Sequence, residues 1–174
     1  MIAIKIFGCI LVLSSCTLLG YCIKLKMESR YNNLENILSC IQFFENEIRY
    51  NMNDIMSISE KIGNVATGVN LNLFNKLISN HKSNPGIPLS VIWSETVEEI
   101  CGKSNYDKKD IDMISKFGNI LGSGDVDTQL KNLDIFQKNI TSRVAECEKR
   151  NNKDCKLYSK AGIYIGTIII ILLI

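Results

Sequence analysis

The sequence has little of what catalytic and metal-binding proteins use. It contains a single histidine, His81, and none of its seven cysteines forms a C-x-x-C pair. Without a second histidine or clustered thiols, the sequence predicts neither a zinc site nor a pair of nucleophile and base. It also has no Walker motif, Gly-rich dinucleotide loop or HExxH sequence. We therefore expect a protein that is not an enzyme and has no metal site and no cofactor.

An excess of charge of one sign is also missing. The formal net charge is +2, and all 18 acidic residues and all but one of the 20 basic residues lie between positions 24 and 160. Nucleic-acid binding needs a basic face and a recognisable motif, and the sequence has neither. The odd number of cysteines argues against a disulfide framework. Neither a nucleic-acid-binding protein nor a disulfide-stabilised domain is predicted.

Uncharged apolar residues are concentrated at the two ends of the chain. No charged residue occurs from Ile6 to Ile23, which is 18 positions, or from Ala161 to Ile174. A helix of about 18 residues is roughly 27 Å long, close to the ~30 Å hydrocarbon core of a bilayer. We predict transmembrane helices at 1–23 and 157–174, with a soluble domain at 24–156 between them.

The basic residues that flank the apolar segments predict which side of the membrane the central domain faces. Eight lie on its side, and one, Lys5, lies on the other. The eight are Lys24, Lys26, Arg30, Lys149, Arg150, Lys153, Lys156 and Lys160. Because Lys and Arg are retained on the cytoplasmic side, we expect a cytoplasmic central domain with both chain termini across the membrane.

A second interpretation of the N-terminal segment is a secreted lipoprotein. Leu13-Ser14-Ser15-Cys16 resembles the cleavage site of a bacterial lipoprotein signal, which would leave a lipidated Cys16 outside the cell. Two features oppose this interpretation, since the apolar run continues to Ile23 and basic residues follow it. The transmembrane interpretation is favoured, and the lipoprotein is kept as an alternative.

Helical periodicity continues beyond the first apolar segment. Apolar residues three or four apart form one stripe, and Glu45 and Arg49 lie off it in the favourable i,i+4 order. The stripe consists of Met27, Tyr31, Leu34, Leu38, Ile41, Phe44 and Ile48. A break is predicted at 51–54, where Asn53 or Asp54 caps a short helix that ends at Gly63.

The middle of the chain predicts two further helices separated by a loop. The first helix covers 70–79, and the loop at 80–88 contains both prolines and His81. Pro88 suits the first turn of the second helix, which is predicted to bury Val91, Ile92 and Val97 and to present Trp93. His81 is expected to be a solvated loop residue.

Acidic residues begin the last two predicted helices. Asp107 and Asp110 are interpreted as N-terminal charges favoured by the helix dipole, and Asp125 as a helix cap. No proline or glycine interrupts the last helix before the second apolar segment, so we expect the two to be continuous. The expected fold class is all-α, a cytoplasmic helix bundle flanked by N- and C-terminal transmembrane helices.

Several stretches together resemble the stage III sporulation protein AB family of endospore-forming bacteria. They are the apolar helix ending at Gly20-Tyr21, the segment Phe44-Glu45-Asn46-Glu47-Ile48-Arg49-Tyr50, Trp93 after a polar loop, Leu121–Asp125 followed by Gln129, and Leu157-Tyr158 before a short apolar tail. The resemblance covers nearly all of the chain. Members usually have a proline soon after the tyrosine, where this chain has Asn53-Asp54.

The resemblance implies a role that the residues alone do not show. The family is similar to the cytoplasmic helical domains of the type II secretion F protein, an inner-membrane platform. It belongs to a mother-cell complex, in the outer forespore membrane, that links mother cell and forespore. The implied partners are a secretion-type ATPase and other membrane subunits of the same complex, and no small-molecule substrate is expected.

We predict a partner surface in the region where this resemblance is densest. The candidates are Glu45, Glu47, Arg49, Tyr50 and Trp93. Trp93 also has a simpler interpretation as a packing residue, and the charges have one as a solvated face with one i,i+4 pair. A membrane-anchored regulator that senses a small ligand is the other class of function considered. An apolar cavity between helices would favour it, and a filled core would favour a platform protein.

Overall fold

The computed structural model consists of helices, with no strand among the residues it describes. These residues are 2–51, 54–121 and 125–173, and their side chains are described except at 2–6, 9–10, 12–13 and 152–173. The helices are α1 (Ile2–Asn46), α2 (Ile55–Lys61), α3 (Gly68–Ser83), α4 (Leu89–Cys101), α5 (Lys108–Phe117) and α6 (Val126–Leu173). A π-helical turn, Glu47–Asn51, follows α1, and a 3-10 turn, Ile62–Asn64, follows α2. The expected all-α fold class is confirmed.

The chain divides into two compact units. The central unit comprises residues 32–145, and the terminal unit comprises 1–31 together with 146–174. Both α1 and α6 therefore contribute residues to each unit. The expectation that the first and last helices continue from the apolar ends into the central part of the chain is confirmed.

The terminal unit exposes large apolar side chains of α1. They are Phe7, Leu11, Leu18, Leu19, Tyr21, Ile23 and Leu25. Among the residues that the structure describes, no helix has a stretch long and apolar enough to cross a membrane. The predicted span at 157–174, and residues 1–6, 9–10 and 12–13 of the predicted span at 1–23, lie outside the residues whose side chains are described.

In the central unit, most of the predicted stripe is buried. Leu34, Ile41 and Phe44 of α1 and Ile48 of the π-helical turn are buried as predicted, together with Ile37 and Cys40, which lie outside the stripe. Leu38, which the periodicity assigned to the core, is only half-buried, so that prediction was wrong. Positions 37 and 38 both lie three or four residues from Leu34 and Ile41, so spacing alone fits either of them.

Aromatic side chains from five helices form the centre of this core. Phe117 of α5 contacts Phe44, Trp93 and Phe136, with ring centroids 5.3–5.7 Å apart. Phe74 of α3 packs on Phe44 and Trp93 at 5.7 and 5.5 Å. The tilted and edge-on arrangements are those that aromatic rings prefer. This cluster fixes α1, α3, α4, α5 and α6 around one point.

Helix α4 buries Ile92 and Val97, as predicted, but not Val91. Val91 is exposed, whereas Trp93 is fully buried and its Nε1 donates a hydrogen bond to the Ile114 carbonyl oxygen at 2.8 Å. Gly118 makes this close packing possible, because a Cβ at that position would lie 2.6 Å from Trp93 Cδ1. The prediction that Val91 is buried was wrong, whereas the interpretation of Trp93 as a packing residue, rather than one presented to a partner, is confirmed. The indole buries a large apolar area and so helps to determine which face of α4 is inward.

Helix α3 is longer than predicted and includes His81. It ends where the Asn84 backbone N–H and side-chain Nδ2 both donate to the Asn80 carbonyl oxygen, at 3.1 and 2.9 Å. His81 and Lys82 lie in the last turn, where positive charge is favourable. The loop predicted at 80–88 therefore begins only at residue 84, and His81 is half-buried in a helix rather than solvated in a loop.

An ion pair with a buried carboxylate links α5 to α6. Asp110 is fully buried, and its Oδ1 accepts hydrogen bonds from Arg143 Nη2 at 2.7 Å and Nε at 3.2 Å. Its Oδ2 accepts from the Asp107 backbone N–H at 3.1 Å, within a capping box at the start of α5. The sequence interpreted Asp110 only as a charge at a helix terminus, so this second role was missed.

Candidate partner surface

The end of α1 and the π-helical turn that follows it carry most of the candidate partner residues. Phe44 and Ile48, four residues apart, are buried and hold this end of the helix against the core. The helix changes from α- to π-helical geometry after Asn46, because Glu47–Asn51 forms the π-helical turn. Such turns are rare and frequently lie at functional sites. The predicted break at 51–54 is thus preceded by a widened turn that the periodicity did not indicate.

Glu45 and Arg49 form an ion pair on this turn. Arg49 Nη2 lies 2.6 Å from Glu45 Oε1, as their i,i+4 spacing predicted. The hydrogen bond to Glu45 raises the pKa of the Arg49 guanidinium, and the negative charge of Asp134 on α6 adds to the effect. The guanidinium is therefore a fixed positive charge in a defined position.

Glu47 makes a second ion pair, which links the π-helical turn to α2. Its Oε2 lies 3.3 Å from Lys61 Nζ, and its Oε1 accepts a hydrogen bond from Asn51 Nδ2 at 2.9 Å. The following Tyr50 is 76% exposed. An aromatic ring this exposed contributes little to the core and is a type of side chain enriched at interfaces. The sequence did not predict Lys61 as a member of this surface, since 14 residues separate it from Glu47.

We call this set of residues the α1-end surface: Glu45, Glu47, Arg49, Tyr50 and Lys61. Trp93, the remaining candidate from the sequence, does not belong to it, because its side chain is fully buried between α4 and α5. A side chain with no exposed area offers nothing to a partner. Its assignment to a partner surface is corrected to core packing.

Asp125 occupies the position expected for a helix cap. It directly precedes α6, and its Oδ2 accepts a hydrogen bond from the Thr128 backbone N–H at 3.4 Å. Hydrogen bonds from Thr128 lower the pKa of the Asp125 carboxyl group. The residues before it, 122–124, lie outside the described part of the chain.

Comparison with known proteins identifies the family. The model of the family described as stage III sporulation protein AB matches residues 5–174. The chain belongs to this family. A curated relative, stage III sporulation protein AB of Bacillus subtilis (strain 168), is 19% identical over 170 residues, which is 98% of this chain and 99% of the relative. The resemblance inferred from the sequence is confirmed, and the chain is a sporulation protein of this family.

A solved structure of a stage III sporulation protein AB has the same fold. It superposes with a TM-score of 0.64 at 17% sequence identity, and the match covers 71% of this chain and 96% of that one. A TM-score of this size at such low identity reflects shared helix arrangement rather than shared side chains. The likeness therefore supports the helical architecture described above, and the chemistry of the surface is argued from this chain alone.

Two thiols of this family member, Cys40 and Cys101, lie in the core. Within the described residues, no group of three or more His, Cys, Asp or Glu side chains could hold a metal ion. Burial raises the pKa of both the Cys40 and the Cys101 thiols to about 12. Since the thiolate is the reactive form, both thiols are poor nucleophiles at neutral pH.

An open groove of about 300 Å³ lies between α4 and α5. Its lining consists of Ser90, Val91, Ser94, Ser115, Lys116 and Asn119. Five of these six residues are polar, and the groove is shallow. Small-molecule sites are typically enclosed and predominantly apolar, so this groove does not favour the ligand-sensing alternative.

Proposed function

We propose that the chain is a non-enzymatic platform subunit of a sporulation-specific, secretion-like complex that links mother cell and forespore. Its place would be the mother-cell membrane around the forespore, with the central unit in the cytoplasm. The proposed partners are a secretion-type ATPase and other membrane subunits of the same complex. The observation that carries this proposal is the end of α1, where two ion pairs and an exposed tyrosine lie next to a packed helical core.

The described part of α1 in the terminal unit supports a membrane anchor. Its large apolar side chains are exposed, which is costly in water. The Ser14 and Ser15 hydroxyl groups donate to the Leu11 carbonyl oxygen at 2.9 and 2.8 Å, so neither requires water. Polar groups in a bilayer must be satisfied within the protein, and these are. We propose that both apolar ends of the chain span the membrane.

Co-purification from sporulating cells tests the platform role. The tagged full-length chain should retain the secretion-type ATPase, and the double variant Glu45→Lys, Glu47→Lys should retain much less and block spore formation. Because the Glu45 and Glu47 side chains are only 18% and 15% exposed, circular dichroism of the purified variant against the parent chain is used to establish that the variant is folded. Lys76→Glu serves as the control, since it disrupts a similar ion pair with Glu99 elsewhere in the central unit. Normal sporulation by a stably expressed double variant would contradict the assignment of this surface.

Thiol labelling tests the topology. Ser83 is exposed at the end of α3, so a cysteine introduced there is accessible to reagents that reach the central unit. In intact cells, Ser83→Cys should add no labelling by a membrane-impermeant maleimide over the parent chain. After lysis the same variant should react. Labelling before lysis would reverse the orientation and restore the lipoprotein alternative.

A further inference from the structure

Two contacts between α5 and α6 define an antiparallel register. Arg143 Nη2 lies 2.7 Å from Asp110 Oδ1, and the ring centroids of Phe117 and Phe136 are 5.3 Å apart. The step from Asp110 forward to Phe117 on α5 therefore matches the step from Arg143 back to Phe136 on α6. Each step is one heptad, so the two helices meet in a regular repeat.

The apolar residues of this seam fit more than one register. Ile114 of α5 and Leu133 and Ile140 of α6 are buried, three or four residues from Phe117 or Phe136. Moving α6 by one turn, about 5.4 Å, would bring Leu133 to Phe117 and Phe136 to Ile114. Apolar side chains would again meet apolar side chains, and cores tolerate repacking that keeps the apolar pattern. Apolar packing therefore specifies the axial position of α6 only weakly.

The ion pair distinguishes these registers. Asp110 is 0% exposed, and the same one-turn move would take Arg143 away from it and place Ile140, also 0% exposed, beside its carboxylate. Removing the cation from a buried carboxylate is strongly destabilising, whereas replacing a whole buried pair by apolar groups is often neutral. Such a pair adds little to the stability of the native register and strongly disfavours the others. Single buried polar residues set the register of coiled coils in this way.

We propose that the Asp110–Arg143 pair sets the register of α6, by fixing its axial position against α5. A second polar contact in the seam, from Gln129 Nε2 to the Ile120 carbonyl oxygen at 3.3 Å, supports the same register without a charge. The role of the ion pair is thus specificity of the helix arrangement more than stability. This inference goes beyond the platform function and does not depend on it.

Distances between spin labels test this role in the full-length chain in detergent micelles. Keto amino acids at the exposed positions Lys109 and Lys131 accept nitroxides without labelling the native cysteines. Double electron–electron resonance on the parent chain should give one distance. Asp110→Asn with Arg143→Met removes both charges, and should add a second distance that differs by about 5 Å, one helical turn, in about a tenth of the molecules or more. A single distance in this folded variant would overturn the inference.

Two further variants separate register from stability. Asp110→Asn alone keeps an oxygen that can accept from Arg143, so it should give one distance even though a denaturant titration shows lower stability than the parent. Asp134→Asn with Lys138→Met makes the same two exchanges at an exposed pair of α6, and should also keep one distance. If the first double variant is not helical by circular dichroism, Asp110→Leu with Arg143→Leu replaces it. A second distance in the parent chain or in the exposed-pair control contradicts the proposed role.

Discussion

Replacing Arg143 with methionine is expected to destabilise the protein by about 3–5 kcal/mol, because it removes a cation that is paired with the buried Asp110 carboxylate. Asp110 is fully buried, and its Oδ1 accepts hydrogen bonds from Arg143 Nη2 and Nε. Its Oδ2 accepts a hydrogen bond from the Asp107 backbone N–H. Since whole domains are stable by about 5–15 kcal/mol, a loss of this size should be visible in a denaturant titration followed by circular dichroism.

Another ion pair on α6 supplies the matched control. Lys138 lies 2.7 Å from Asp134, and both side chains are at least half exposed. Lys138→Met should change stability by no more than about 1 kcal/mol, as exposed pairs do. Combining Arg143→Met with Asp110→Asn should recover part of the loss, since no buried charge is then left unpaired. Equal effects of Arg143→Met and Lys138→Met would show that burial does not distinguish the two pairs.

Ile37→Ala is expected to cost about 2–5 kcal/mol, the range for removing a large aliphatic side chain from a filled core. Ile37 is 1% exposed and lies between Leu34 and Ile41 on the buried face of α1. Its neighbour Leu38 has a side chain of the same size but is only half-buried. Leu38→Ala should therefore cost clearly less, because part of its surface already contacts solvent and the remaining space can fill with water.

The comparison of these neighbours uses the same denaturant titration. It is informative because helical spacing fits both positions, so chain periodicity gives no reason to prefer either. A larger loss of stability for Leu38→Ala than for Ile37→Ala would mean that Leu38, and not Ile37, is buried in solution.

The sequence predicted those parts of the fold that depend on local interactions. The caps at Asp54 and Asp125 need only a carboxylate three residues before a backbone N–H, and both are present. The end of α3 was missed because Asn84, whose hydrogen bonds end the helix, belongs to no sequence pattern that marks a helix end. On α4, the burial of Ile92 and Val97 was predicted, but Val91 was wrongly assigned to the core because Val91, Ile92 and Trp93 are consecutive apolar residues. The close approach of Trp93 to Gly118 is a tertiary contact that spacing does not indicate.

In the candidate surface, too, the local contact was predicted and the contact between helices was not. The Glu45–Arg49 pair follows from i,i+4 spacing and was predicted, whereas the Glu47–Lys61 pair depends on how the chain turns between α1 and α2. Which partner of each pair is exposed also cannot be inferred from spacing. It depends on how close each carboxylate lies to the buried residues of the π-helical turn, which is a property of the folded core.

Trp93 gives the central unit an intrinsic optical signal. It is the only tryptophan in the chain, and its indole is fully buried with a hydrogen bond to the Ile114 carbonyl. Its fluorescence should be blue-shifted and resistant to iodide quenching, because neither water nor a soluble quencher reaches the ring. A red shift in the unlabelled full-length protein would report separation of α4 from α5, even while the apolar ends of the chain keep their helical circular dichroism.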